Sequence, residues 1–264
     1  MNYYLIANIG SYIHKVSTVV NYPRHLLLMQ VVGYDCWAFN AALALCESRE
    51  VILDNGAYEG FVPDWNEYAN TSNILKPWCT VLPDIVRGDA VESRDLAFSV
   101  SSLLNPEQQC MYVPQGRNKT EVLHEFQWAF ANLNPELFIL GLGTASFYWG
   151  TGERDRIMML QEVLSYKGAK RFRYHMLGAR QFEIASYENY PNVIGIDTFK
   201  PCRWALAGKE LPSGLLNYRA ALEEKPGIDR VACSQQTATA VNAITLARNI
   251  KTFCEVYGAK EVQG

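Results

Sequence analysis

Eight short apolar runs, each interrupted too little for a sheet with one wet face, constrain this chain more than any other feature. They occupy residues 4–7, 26–31, 50–53, 79–82, 110–113, 137–140, 171–174 and 193–196. Most lack strict polar alternation, and continuous apolar strands belong to parallel sheets covered on both faces. Helix-like segments lie between many of them, at residues 35–46, 64–75, 89–104, 119–133, 154–167 and 179–187. Alternating strand and helix predicts an α/β fold, and eight strands predict closure into a TIM-like (β/α)8 barrel. A chain of 264 residues with 49% hydrophobic content suits one domain with one large core.

The expected barrel spans about 1–205, and a C-terminal helical extension spans about 206–264. Pro212-Ser-Gly and Lys225-Pro-Gly break the chain after the barrel. Residues 229–257 then read as one long helix ending at Gly258. Val231, Ala238, Val241, Ile244, Leu246, Ile250 and Phe253 give it an apolar face that packs on the barrel. No internal repeat or low-complexity tract occurs.

Several function classes are disfavoured. No run of about 18 apolar residues appears, so no transmembrane helix and no membrane partner are expected. The opening Met-Asn-Tyr-Tyr-Leu-Ile-Ala reads as a first strand, not a signal peptide. Seven scattered cysteines, an odd number, read as reduced and mostly buried thiols of a cytoplasmic protein. No C-x-C or C-x-x-C pair supports a zinc site. The net charge of −3 argues against indiscriminate nucleic-acid binding but allows a local basic face. Lys167, Lys170, Arg171, Arg173 and Arg180 lie in a stretch without acids. That stretch is either a solvated helix end leading into a strand or a phosphate-contacting rim.

Polar groups follow most of the expected strands. Asp54 follows the third, Asp84 the fourth, Gln115 the fifth, Gly141-Leu-Gly the sixth, His175 the seventh and Asp197 the eighth. Strand C-termini form the active-site face of a TIM barrel, so these groups converge on one pocket. Any one of them alone is as readily a cap or a turn former. Three carboxylates at one barrel mouth suit glycosidic chemistry, which needs a nucleophile at the anomeric carbon and a proton donor at the leaving group. Clustering drives their pKa values apart. Metal-dependent hydrolases also gather aspartates, but only His175 of the four histidines stands at a strand end, so no catalytic metal is expected. There is no G-x-S-x-G elbow, no phosphate-binding G-x-x-x-x-G-K-[ST] loop and no iron–sulfur pattern.

Taken in order, these motifs resemble the tRNA-guanine transglycosylase superfamily over residues 50–205. Asp197-Thr-Phe-Lys-Pro-Cys-Arg203 matches the aspartate, proline and arginine spacing of that family's nucleophile motif, Asp-Cys-Val-x-Pro-Thr-Arg. Asp54-Asn-Gly-Ala-Tyr-Glu59 stands in the place of its Asp-Ser-Gly-Gly-Phe/Tyr-Gln. Asp84, Pro114-Gln-Gly116, Leu140-Gly-Leu142 and His175-Met-Leu-Gly-Ala179 follow where the family has its base-reading aspartate, Val-Gln-Gly, Gly-Gly-Leu and Tyr-Leu-Met-Gly-Val-Gly. The resemblance implies a pentosyltransferase in which Asp197 is the nucleophile and Asp54 the general acid and base. It implies that Asp84 and Gln115 read the base edge, that backbone near Gly141 and Leu142 binds its O6, and that Tyr58 and Leu177 sandwich its ring. Arg203, with Lys200, would hold phosphate. Each of these residues also has a plainer reading: Tyr58 and Leu177 as barrel-mouth core, Gln115-Gly116 as a turn, Arg203 as the partner of a carboxylate.

Two departures from the family redirect the expected substrate. Its three-cysteine, one-histidine zinc cluster has no counterpart after Asp197, where only Cys202, Cys233 and Cys254 remain and no histidine occurs. Its glutamate after Gly-Gly-Leu is also unmatched, since no acid follows Gly141 until Glu153. A zinc-free barrel of this kind resembles the phage 7-deazaguanine DNA transglycosylases. The resemblance implies exchange of guanine in DNA for a free 7-deazaguanine base, such as 7-cyano-7-deazaguanine, without a cofactor. It implies a flipped or single-stranded guanine as target, host cytoplasm as location, and protection against restriction enzymes that read N7 in the major groove. A zinc-free tRNA-guanine transglycosylase, a nucleoside hydrolase or glycosylase on the same barrel, and a catalytically dead nucleic-acid binder remain as alternatives.

Overall fold

The computed structural model describes residues 2–7, 24–33, 36–143, 155–178, 186–187, 189–198, 245, 248–249 and 251–252. Its strands lie in sequence order, β1 to β8, in a closed barrel, with parallel pairing wherever the register is defined. Helices alternate with the strands, giving the expected α/β TIM-like barrel. By its contacts the chain divides into two compact units, residues 52–197 and residues 2–51 with 198–264.

In the second unit, β1 (Asn2–Ala7) runs parallel to β2 (Arg24–Leu28), with Leu5 opposite His25. The second strand therefore ends earlier than its apolar run. Met29–Val32 turns into a short helix, α1, that buries Met29, Val31 and Val32. An unbroken apolar run cannot distinguish a buried strand from a buried helical turn, so hydropathy misplaces this boundary. Helix α2 (Cys36–Ser48) follows, and Arg24 Nε meets Glu50 Oε2 at 2.7 Å. Within the expected C-terminal helix, Thr245, Arg248, Asn249, Lys251 and Thr252 are helical. The rest of that extension lies outside the described residues.

The unit of residues 52–197 contains β3 (Glu50–Asp54) from Ile52 onward, α3 (Trp65–Leu75), β4 (Cys79–Val81), α4 (Ala90–Ser101), β5 (Cys110–Tyr112), α5 (Lys119–Asn132), β6 (Phe138–Gly143), α6 (Asp155–Ser165), β7 (Arg173–Leu177) and β8 (Val193–Thr198) as far as Asp197. Three βα turns end in side-chain caps. Asp64 accepts from the N–H groups of Asn66 and Glu67, Asp89 from those of Val91 and Glu92, and Asn118 from that of Glu121. Each cap satisfies amides that the first helical turn leaves unpaired and fixes where the preceding loop ends. Outside the barrel wall, Phe98, Tyr112, Trp128 and Phe138 form a ring cluster, and the Arg94 guanidinium lies 4.7 Å from the Trp128 ring centre.

The late strands differ from expectation in a way that matters for the site. Pairing of β6 with β7 continues through Gly141↔His175, Leu142↔Met176 and Gly143↔Leu177. Arg171, expected to open β7, instead ends a 3-10 turn over Ala169–Arg171 that follows Gly168, whose φ is 90°, and the strand starts at Arg173. Gly141, Leu142, His175 and Asp197 therefore stand inside strands rather than beyond them. A polar or glycine residue ends an apolar run on paper, but a backbone ladder needs only N–H and C=O groups to continue.

The basic stretch also finds its place. Lys167, Lys170 and Arg171 are exposed between the end of α6 and the start of β7. Arg173, the first residue of β7, donates to Gln109 Oε1 at 2.7 Å. This is the N-terminal end of a strand, opposite the C-terminal ends that carry Asp54, Asp84 and Asp197. These cations form a solvated helix end and not a rim around the carboxylates; Arg180 lies outside the described residues. Of the described cysteines, Cys79 and Cys110 are buried as expected, whereas Cys36 is exposed and Cys46 half-buried. No helix among the described residues is long and apolar enough to cross a membrane.

Candidate active site

Tyr68 builds the floor beneath the first two carboxylates. It comes from α3, is fully buried, and its phenol lies 3.1 Å from Leu53 O and 2.7 Å from Val81 O. One hydroxyl thus ties the ends of β3 and β4 just below Asp54 and Asp84. Burial above all, with the Asp54 carboxylate next, holds the phenol in its protonated, donating form. Asp54 ends β3, and its Oδ1 faces the N–H of Gly56 at 3.4 Å. Gly56 has φ 79°, the left-handed region in which a side chain costs energy, and it turns the chain into the 3-10 segment Ala57–Glu59.

Asp84 is held from both sides. Asn55 Nδ2 donates to its Oδ1 at 3.0 Å and to Leu82 O at 2.9 Å, while Asn55 Oδ1 accepts from Ala57 N–H at 2.7 Å. Gln115 Nε2 donates to Asp84 Oδ2 at 2.5 Å, and Gln115 Oε1 accepts from Arg87 N–H at 3.3 Å. Each amide therefore has its orientation set by a backbone donor on its oxygen, leaving the NH2 groups aimed at the carboxylate. Asp84 keeps partial solvent access but stands amid dense protein. Burial pushes its pKa up to about 6, against the lowering influence of the two amides. A carboxylate oxygen has room for about two donors, so Asp84 can accept two further hydrogen bonds from a ligand.

Asp197, in β8, is a different kind of carboxylate. It is 2% exposed, with Oδ1 3.1 Å from His175 Nε2 and Oδ2 accepting from Gly178 N–H at 2.8 Å. His175 is fully buried on β7, so the pair is shielded from solvent. An ionised Asp197 requires the Nε2–H tautomer or the imidazolium of His175.

The remaining expected site residues divide. Gln115 and Asp84 come together, as do His175 and Asp197. Gly116 is where a Cβ would lie 2.7 Å from Glu121 Cβ and 2.9 Å from Val122 N, so only glycine lets the Gln115 turn lie against α5. A Cβ on Gly141 would lie 2.8 Å from Val113 Cγ2 and 3.2 Å from Leu177 Cδ1, so this glycine makes space inside the barrel, and Leu142 beside it is fully buried. Tyr58 is 54% exposed and Leu177 half-buried. Lys200 and Arg203 lie outside the described residues.

Sequence reasoning missed two residues. Asn55 is hidden next to Asp54; its signal is the amide beside an expected carboxylate. Arg156, at the start of α6, is 3% exposed; its Nη1 donates to Leu177 O at 2.8 Å and Leu142 O at 3.3 Å, and its Nε to the Tyr187 hydroxyl at 2.9 Å. Nothing in hydropathy singles it out. Among the described residues, no group of three His, Cys, Asp or Glu side chains is placed to hold a metal ion.

No protein-family model matches the sequence. No curated protein matches it either. Among solved structures, a variant of the citrate synthase SbnG is similar at a TM-score of 0.49 and 10% identity, covering 75% of this chain and 84% of that one.

Proposed function

We propose that this chain is a guanine transglycosylase acting on DNA, exchanging guanine for a 7-deazaguanine base such as 7-cyano-7-deazaguanine. The observation that carries the reading is the Asp84 cluster. Its two carboxylate oxygens are held by Asn55 and Gln115 with acceptor positions left over. A 2-amino-4-oxo base offers two adjacent donors, its ring N–H and its exocyclic amine, and a two-oxygen acceptor matches them. An acceptor-rich base edge would instead meet like partial charge.

In this reading Asp197 attacks C1′ of the target nucleotide as the bond from C1′ to guanine breaks. Asp54 gives a proton to the departing base. The incoming base then returns a proton to Asp54 and attacks C1′, breaking the bond to Asp197; two displacements retain configuration. Asp197 is 2% exposed, set back from solvent among β7 and β8. That fits a flipped or single-stranded nucleotide better than a duplex. Tyr58 and Leu177 flank the ring, backbone near Gly141 and Leu142 meets its O6, and Lys200 and Arg203 hold phosphate; these roles rest on the resemblance. Replacing guanine N7 removes an acceptor that restriction enzymes read, so protection of the modified DNA is the expected benefit.

The test supplies labelled guanine or 7-cyano-7-deazaguanine with single-stranded DNA, duplex DNA or tRNA. Label entering DNA, and none with Asp197→Asn, supports the proposal. Label entering tRNA alone sinks the DNA assignment, and abasic product formed without an incoming base replaces it with a glycosylase.

A further inference from the structure

Arg156 is placed where a cation is costly. It lies in the first turn of α6, beside the partial positive charge of a helix N-terminus, and it is buried. Its guanidinium remains charged there. Its Nη1 bridges the carbonyls of Leu142 and Leu177, at the adjacent ends of β6 and β7.

The Leu177 carbonyl and the Gly178 N–H are opposite ends of one planar peptide unit. Arg156 grips the oxygen end at 2.8 Å, and Asp197 Oδ2 accepts from the nitrogen end at 2.8 Å. Gly178 has φ 60°, a left-handed turn that glycine tolerates well. A cation on a peptide oxygen polarises the peptide and strengthens its N–H as a donor, because hydrogen bonds in a chain reinforce one another. We propose that Arg156 is a positioning residue for Asp197, acting through the Leu177–Gly178 peptide, whose plane it fixes and whose N–H it strengthens. The functional consequence rests on reading Asp197 as the nucleophile; the relay itself does not.

The test uses the full chain with Arg156→Lys, Arg156→Gln and Arg156→Met, read by NMR without substrate. Expected is an upfield shift of the Gly178 amide proton in Arg156→Met, with its exchange protection falling roughly tenfold or more. The Asp197 carboxyl carbon should shift as well, and Arg156→Lys should restore part of both changes. Amides of β4 and β5 serve as the fold control and should not move. Unchanged Gly178 and Asp197 signals in Arg156→Gln and Arg156→Met, with only a lower melting temperature, would overturn the proposal and leave Arg156 as a fastener of β6 to β7. If Arg156→Met does not fold, Arg156→Gln gives the same readouts. In the transglycosylation assay kcat should fall while KM for the free base stays near wild type. Failure of Asp197→Asn to affect that assay would defeat the nucleophile reading and leave the NMR result standing.

Discussion

Gln115 meets Asp84 through one 2.5 Å hydrogen bond, and the far end of the same amide is pinned by Arg87 N–H. The amide therefore cannot turn over without leaving a backbone donor unmatched. Gln115→Glu sets a second carboxylate against Asp84, and like charges at this range disfavour ionisation of both. Affinity for a 7-deazaguanine base, measured by calorimetry at pH 7, should fall by about tenfold or more, equivalent to about 1.4 kcal/mol.

Asp84 also sets a pH dependence. Its pKa in the folded chain, about 6, is raised above the ordinary 3.8, so the folded state holds the proton more tightly than the unfolded one. The associated stability is fully present below 3.8 and is lost as pH rises through about 6. Wild type should therefore lose stability relative to Asp84→Asn across that window, as thermal melts at successive pH values will read. Base binding should run the opposite way and strengthen above pH 6, because the ionised carboxylate is the acceptor.

His175→Phe removes the side-chain partner of a carboxylate that is 2% exposed. Leaving a buried acceptor short of a hydrogen bond costs about 1–3 kcal/mol, more for a charge. Urea unfolding should show that loss, and it should shrink when Asp197→Asn is added, since the two residues act as a pair.

Gly116→Ala tests the turn that aims Gln115. The new Cβ meets Val122 N at 2.9 Å, and backbone cannot move aside cheaply. The variant should lose about 1–3 kcal/mol of stability. Base affinity should fall with it, whereas Gly168→Ala, whose nearest neighbour is Phe130 Cβ at 3.6 Å, should affect stability alone.

Tyr68→Phe deletes the hydroxyl between Leu53 O and Val81 O. Two buried carbonyls lose a shared donor, at a cost of about 1–3 kcal/mol in urea unfolding. The amide of Asp84 should exchange faster as the end of β4 loosens.

Much of the barrel was legible because its strands and helices carry strong, separate patterns. Asp64, Asp89 and Asn118 cap helices where hydropathy places their starts, and Asp54 and Asp84 stand at the mouth because a strand end and an apolar boundary coincide there. The later strands were harder to read. Gly141 and His175 interrupt an apolar run while the β6–β7 ladder runs on through them, and Asp197 still lies within β8, so the sequence puts all three one step too far out. Arg24–Leu28 and Met29–Val32 share one apolar run but take two conformations. Asn55 and Arg156 were invisible for another reason. Their importance comes from what they reach across the barrel end, Asp84 in one case and the Leu177 carbonyl in the other, and no local pattern encodes such a partner.

The phenol beneath Asp54 and Asp84 has a consequence for how such a site changes over generations. The two strand ends are joined from below by one side chain on α3 and from above by Asn55, which reaches Leu82 O and Asp84. Loop positions other than Asn55 can then accept substitutions that retune which base or strand they admit while both fastenings stay in place. Drift in specificity and preservation of the carboxylate frame become separate problems, solved by different parts of the chain.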